Sequence, residues 1–239
     1  MVNKGEFIFG GVRSSDYDAF LTGENVYGAP VKRVDAVTVP GRNGSLTLGD
    51  PYVFNDIDHI YPAFIVSNYN SNVQGLRNAL SALHGAQRLT DSYHPDEFYM
   101  ARFEKGMSVN TLPLAVAGTF EVTFVRDPRR FLISGEAAVS VASGDSLVNP
   151  TLFPARPLIR VVGAGVLEIG SMQITITAHN QAYMDIDSEM MDCYCGAVNL
   201  NPYVTFSAND YPTLPAGSTG IEYDSGITSV TVTPRWWRV

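Results

Sequence analysis

Cysteine is almost missing from this chain. Cys193 and Cys195 are the only two in 239 residues, so no disulfide framework can hold the fold together. Lysine is nearly as scarce, with only Lys4, Lys32 and Lys105, and 16 basic side chains face 24 acidic ones. The resulting net charge of −8 argues against direct nucleic-acid binding, which needs clustered Lys and Arg to neutralise phosphates. No apolar run approaches the ~20 residues of a membrane-spanning helix. Met1-Val2-Asn3-Lys4-Gly5 also lacks the apolar core of a secretory signal. Charged residues make up 17% and apolar ones 45%, which argues against a disordered chain. The expectation is a folded, soluble protein made in a reducing cytosol, without membrane insertion.

The length suits one large domain or two of roughly 100–130 residues. Charge is spread unevenly: residues 1–135 carry 12 basic and 14 acidic side chains, whereas residues 136–239 carry 4 and 10. Small polar stretches, Ser134-Gly135-Glu136 and Ser143-Gly144-Asp145, predict a linker near 134–150. Two domains are therefore expected, 1–135 and 136–239.

Most of the chain reads as short strands. Phe120, Val122 and Phe124 alternate with polar neighbours, as do Met172, Ile174 and Ile176, and Val230 with Val232. Pro40-Gly41-Arg42-Asn43-Gly44 carries hairpin turn signals, and Gly163-Ala164-Gly165 is read in the same way. One helix is expected. Val73, Leu76, Leu80 and Leu83 form a single 3.6-residue stripe, with Ser71 and Gln74 as a capping box and Gly85 as the terminating glycine. The fold class is mainly β, the second domain a sandwich.

The chemical motifs do not assemble an active site. Gly144-Asp145-Ser146-Leu147 spells the nucleophile block of GDSL-type esterases, but such a serine needs a base and an orienting acid. In that family both come from a downstream Asp-x-x-His; here Asp56-Ile57-Asp58-His59 lies upstream and His179 follows Ile176. The tetrapeptide is read as a linker turn. Asp56, Asp58 and His59 are metal-capable but read as a solvated loop. Asp185, Asp187 and Glu189 would share a strand face and are read as an edge that repels pairing. Cys193 and Cys195 lack the two further ligands of a zinc site and read as small buried apolar groups. Gly163-x-Gly165 has Glu168 where a dinucleotide loop needs glycine. No catalytic residue, metal or cofactor is expected.

A resemblance is carried by motifs in fixed order along the chain. These are Val39-Pro-Gly-Arg-Asn-Gly44, Arg126-Asp-Pro-Arg-Arg-Phe-Leu132 with Ser134-Gly-Glu136, then Asn149-Pro-Thr-Leu-Phe-Pro-Ala155 with Pro157-Leu158-Ile159. Ile186-Asp-Ser-Glu189 before Cys193-Tyr194 and a closing Pro234-Arg-Trp-Trp-Arg238 complete the set. Together they resemble the distal tail (Dit) proteins of long-tailed bacteriophages that infect Gram-positive hosts. The resemblance implies an N-terminal β-sandwich with one α-helix and an extended hairpin arm, followed by a galectin-like C-terminal β-sandwich. It also implies a virion protein at the distal end of the tail, a hexameric ring that caps the tube and anchors the host-adhesion device. The implied partners are its own copies, the tail tube protein, the tape measure, a tail-associated fibre-like or lysin-like protein and the receptor-binding protein. The alternative is a carbohydrate-binding sandwich used in host attachment.

Tyr52 to Val66 is the stretch expected to form the arm, because Tyr52, Phe54, Ile57, Ile60, Tyr61 and Phe64 are too many apolar groups for an idle loop. Those six residues, with Arg129 and Arg130 as possible partners for a neighbour's acids, are the expected oligomer contacts. Pro150, Pro154 and Pro157 are read as stiffening the crossing between domains. Trp236 and Trp237 are expected to point to opposite faces of one strand.

Overall fold

The computed structural model describes residues 5–23, 28–109 and 117–239. They form two compact units: one runs to Arg130 and takes in Val239, and the other is Phe131–Arg238. No helix among the described residues is long and apolar enough to cross a membrane.

The first unit contains strands β1 (Phe7–Phe9), β2 (Val12–Arg13), β3 (Ala19–Leu21), β4 (Asp35–Thr38), β5 (Ser45–Leu48) and β6 (Ile57–Ile65). Helix α1 (Tyr69–Ser81) follows, then β7 (Gln87–Asp91), β8 (Glu97–Arg102), β9 (Met107–Val109) and β10 (Gly118–Arg126). An antiparallel sheet runs β2-β1-β7-β8-β10-β6-β3, with β9 also on β10; among the described residues β4 and β5 pair only with each other. The sheet curls on itself. Phe7 lies four strands from Tyr61 in this order, yet their rings stack at 5.6 Å, and Phe9 meets Phe124 at 4.8 Å. The enclosed face supplies the core: Phe7, Phe9, Tyr61, Ala63, Ile65, Leu89, Phe120, Val122 and Phe124.

Helix α1 seals this core with its expected stripe, since Val73, Leu76 and Leu80 are buried and Leu83 packs beside them. Its first turn lies so close to the sheet that a Cβ on Gly118 would stand 2.7 Å from the Tyr69 ring, and the Tyr69 hydroxyl donates to the Thr119 carbonyl at 2.8 Å. The start differs from the expected capping box. The cap position is Asn68, in the left-handed region at φ 45°, and no side chain caps the amides. Ser71 is exposed within the first turn, while Asn72 Nδ2 donates to the Ser67 carbonyl at 2.9 Å and to Asp18 at 3.3 Å. Packing against the strand ends fixes where the helix begins, so local capping chemistry is overridden. Gly85, at φ 70°, lies beyond the C-cap Ala82 and turns the chain toward β7 rather than ending the helix.

Strand β11 (Arg130–Leu132) straddles the boundary between the units. The second unit holds β12 (Val139–Val141), β13 (Ser146–Asn149), β14 (Leu158–Gly163), β15 (Gly165–Ile169), β16 (Met172–Ile176) and β17 (Met184–Asp187). These are followed by β18 (Asp192–Cys195), β19 (Val198–Asn199), β20 (Val204–Phe206), β21 (Gly217–Tyr223), β22 (Ile227–Thr233) and β23 (Trp237–Arg238). Sheets β12-β22-β14-β17-β18-β19 and β13-β21-β15-β16-β20 make a sandwich. Ile159, Val161, Ile186, Val230 and Val232 from one sheet and Leu167, Ile169, Ile174 and Ile221 from the other are buried.

Three expectations are corrected here. Residues 139–149 are not a linker, because they form β12 and β13, which pair with β22 and β21 in opposite sheets. Gly163-Ala164-Gly165 is not a hairpin turn but a crossing from one sheet to the other. It interlocks with the crossing at Asp224–Gly226, so closely that a Cβ on Gly163 would lie 2.3 Å from the Gly226 carbonyl oxygen. The segment around Pro150 and Pro154 lies within the second unit. Asn149 Nδ2 donates to the Phe153 and Leu214 carbonyls at 2.9 Å each, and Ala155 bridges Leu214. Trp236 and Trp237 are both buried; Trp237 stacks on Phe153 at 4.6 Å and donates to the Pro154 carbonyl at 2.9 Å.

Leu80→Ala is expected to destabilise the first unit by about 2–5 kcal/mol, because it opens a cavity under α1. Ser71→Ala should change stability by less than about 0.5 kcal/mol, since its hydroxyl caps nothing. Denaturant titrations check both. A large loss at Ser71 or none at Leu80 contradicts the packing described.

Candidate functional site

The functional candidate of the first unit is a ribbon that the protein builds but does not bury. Val37 pairs with Leu46 and Asp35 with Leu48, while Ala36 faces Thr47 and Thr38 faces Ser45. Cross-strand partners share a face, so Val37, Leu46 and Leu48 lie on one side with Asp35, and Thr38, Ser45 and Thr47 on the other with Ala36. Pro40-Gly41-Arg42-Asn43-Gly44 closes the end, with the Arg42 amide donating to the Val39 carbonyl at 3.2 Å and with Gly41 and Gly44 at φ 82° and 78°. Toward the base the Arg33 amide reaches the Val53 carbonyl at 3.0 Å and the Asn55 amide the Val31 carbonyl at 2.9 Å. Every residue from 31 to 53 is exposed. Val37, Leu46 and Leu48 remain 44%, 37% and 47% accessible.

This ribbon is the hairpin arm, and it is not where the sequence reading put it. Of the six expected contact residues only Tyr52 and Phe54 belong to it. Ile57 to Ile65 is strand β6, paired along its whole length with β10 and on its other side with β3. Its odd residues turn inward, so Tyr61 is fully buried and can make no contact with another copy; that assignment is corrected. Ile57 is half-buried at the same inward parity. Ile60, 47% exposed, and Phe64, half-buried 6.0 Å from Phe20, lie on the outward face. Arg129 is held by Asp127, Nη2 to Oδ2 at 2.8 Å, and Arg130 by the buried Glu97 at 2.7 Å, so both pair within their own chain. The reading from sequence missed Val37, Leu46 and Leu48. Their signal was alternation on either side of the Pro-Gly and Asn-Gly turn.

The metal-capable residues do not converge. Asp56 and Asp58 point outward and pair with Arg102, at 2.8 Å, and with Lys105, whereas His59 points into the core. Burial, reinforced by Arg126, pushes the His59 imidazole down to about 4. Nearby, the Tyr61 hydroxyl donates to Asp91 at 2.6 Å, and His94 Nδ1 lies 3.0 Å from the same carboxylate. Burial alone would raise Asp91; hydrogen bonds from His94 and Tyr61 hold it below the usual carboxylate range.

In the second unit Asp185 and Asp187 are not a solvated edge. Strand β17 lies between β14 and β18, and both carboxylates are buried. Arg160 grips Asp185 with two bonds of 2.7 Å, and Arg235 grips Asp187 at 2.7 and 2.9 Å. Asp187 also accepts the Glu189 and Met190 amides at 3.0 and 3.1 Å, capping the turn in which Glu189 stands exposed. Ser146 opens β13 and is exposed, while Asp145 accepts the Ala142 amide at 2.9 Å. Cys193 is buried, its thiol pushed up to about 11 by desolvation, and Cys195 is half-buried; both are free thiols.

A curled sheet with one helix and a projecting ribbon, followed by a two-sheet sandwich, defines a two-unit, mainly β protein. The same fold is found in Dit of phage SPP1, whose structure is described as a paradigm of the hub adsorption apparatus in phages infecting Gram-positive bacteria. That chain is 13% identical, with 99% of this chain and 100% of that one covered and a TM-score of 0.73. A chain of the phage P2 baseplate in its activated conformation is also similar, at 6% identity, 97% and 98% coverage and a TM-score of 0.50. At such identities the likeness is one of fold. No protein-family model matches the sequence, and no curated protein matches it.

The buried imidazole makes stability depend on pH. The folded chain binds fewer protons than the unfolded one between the ordinary histidine value near 6.5 and about 4. Its contribution is therefore complete above pH 6.5 and is lost as pH falls through that window, on the order of 3 kcal/mol in all. Asp91 adds a further loss below its ordinary range. Denaturation midpoints from pH 7 to 4 should fall in wild type and flatten in His59→Leu; parallel curves would contradict the neutral buried His59.

Proposed function

We propose that this protein is a structural component of a phage tail, a distal tail hub that forms a ring at the end of the tail tube and anchors the host-adhesion device. The observation that carries this reading is the ribbon 31–55, with no buried residue between 31 and 53. An isolated two-stranded hairpin is at best marginal in water, so a ribbon that leaves Val37, Leu46 and Leu48 exposed together needs a surface outside its own core. The fold shared with SPP1 Dit supplies the setting for that need. On this reading the first unit provides the ring contacts, a heterologous interface repeated around a closed axis, with six copies as the implied number. Tube, tape-measure, tail-associated and receptor-binding proteins are the other partners. The location is the distal end of the virion tail.

The second sandwich, galectin-like on this reading, would face outward. Carbohydrate binding there has weaker support. The Tyr183 ring is covered by the Arg160 guanidinium at 4.0 Å, and both tryptophans are buried, so these rings offer no open stacking platform.

Mass measurement at high and low concentration tests the assembly. Six copies of 26.0 kDa give about 156 kDa. Replacing residues 34–52 by a short glycine turn should leave folded monomers. An assembly that survives the deletion, or wild type that stays monomeric at high concentration, sinks the reading. The role is structural, so no short-chain ester should be turned over; turnover that disappears in Ser146→Ala would show otherwise.

A further inference from the structure

The first unit presents a second uncovered apolar surface, on the face of its sheet opposite the core. Even-numbered residues of β6 point outward there: Ile60 is 47% exposed, with Pro62 and Phe64 half-buried. Phe20 of β3 lies beside Phe64 at 6.0 Å, and Val66, just past the strand, is 48% exposed. The strip is carried by β6, with Phe20 of β3 widening it beside Phe64. It is seven residues long from Ile60 to Val66, a span of ~20 Å at the rise of an extended strand. The ribbon from Val31 to Gly41 spans ~33 Å on the same rule, enough to lie along the whole strip.

Charge matches as well. Glu121 stands opposite Pro62 in the β6–β10 register and is exposed, and no ion pair holds it among the described residues. Arg42 at the ribbon tip and Arg33 at its base are also exposed and without an ion pair among the described residues. A chain's own ribbon does not cover its own strip, because residues 31–53 and Ile60 are all exposed in the same molecule.

We infer that the acceptor for the ribbon is the β3–β6 outer face of a second copy. The Val37, Leu46 and Leu48 face lies on Ile60, Phe64 and Val66, and Arg42 or Arg33 meets Glu121. Two sheets packed face to face in this way bury apolar side chains from both and leave the polar side of the ribbon, Thr38, Ser45 and Thr47, to solvent. The contact joins two different faces, so it propagates from copy to copy rather than ending in a pair. This rests on the oligomeric reading above and adds the surface that receives the arm.

Engineered disulfides test it in full-length protein carrying Cys195→Ser, which leaves only the buried Cys193. Both new positions, Leu46→Cys and Ile60→Cys, are on exposed side chains, so the fold should tolerate them. Under mild oxidation the double variant should give a ladder of covalent oligomers, and a mixture of the two single variants should give covalent dimers only. Ile60→Glu, without engineered cysteines, should weaken assembly about tenfold or more by light scattering. Cross-links between two copies of the Leu46→Cys single variant alone would overturn the proposal in favour of a symmetric arm-to-arm contact. Oligomers that form normally, yet give no cross-link and are unmoved by Ile60→Glu, would overturn the acceptor face and leave the ring reading standing. Monomers under every condition would overturn both.

Discussion

The pairing of β6 with β10 is the constraint on which the first unit depends. Nine consecutive residue pairs, from Ile57 with Arg126 to Ile65 with Gly118, lock one register. In an extended strand that register decides the fate of every side chain, because neighbours point to opposite faces. His59, Tyr61, Ala63 and Ile65 go inside, while Asp58, Ile60, Pro62 and Phe64 go outside. A slip of one residue would put Asp58 in the core and Tyr61 in water. The same alternation gives the protein both a sealed interior under α1 and an exposed apolar outer strip.

Three buried carboxylates follow one rule across the two units. Asp91 in the first and Asp185 and Asp187 in the second are carboxylates with almost no solvent access, and each has specific donors. Such groups contribute little net stability compared with apolar replacements, but removing one partner leaves the other charge stranded. They also fix which strands lie side by side: Arg160 and Asp185 are direct neighbours across β14 and β17. His59 follows the rule by giving up its charge, its pKa brought down to about 4 by burial.

The ribbon stands apart from this economy of burial. Its backbone hydrogen bonds are made within itself, yet Val37, Leu46 and Leu48 stay exposed on one face. There they remain in water, where apolar area costs free energy until something covers it.

The sequence by itself determined the mainly β character, the single helix and its buried stripe, and the closing turn of the hairpin. Each rests on a local signal: period two in Phe120–Phe124, period 3.6 in Val73–Leu80, and φ-positive glycines beside Asn43. What it could not determine was which apolar stretch is core and which is arm. Tyr52–Val66 and Val31–Leu48 are both rich in apolar residues, and composition does not say which one finds partners on both sides. Only the β3–β6–β10 pairing decides that, and it joins residues about 45 and 60 positions apart. The same limit hid the charged pairs of β17, because Asp185 reads as a solvated edge until tertiary structure brings Arg160 alongside it. It also hid the glycines at 163 and 165, whose role in crossing between sheets depends on Gly226 lying against them.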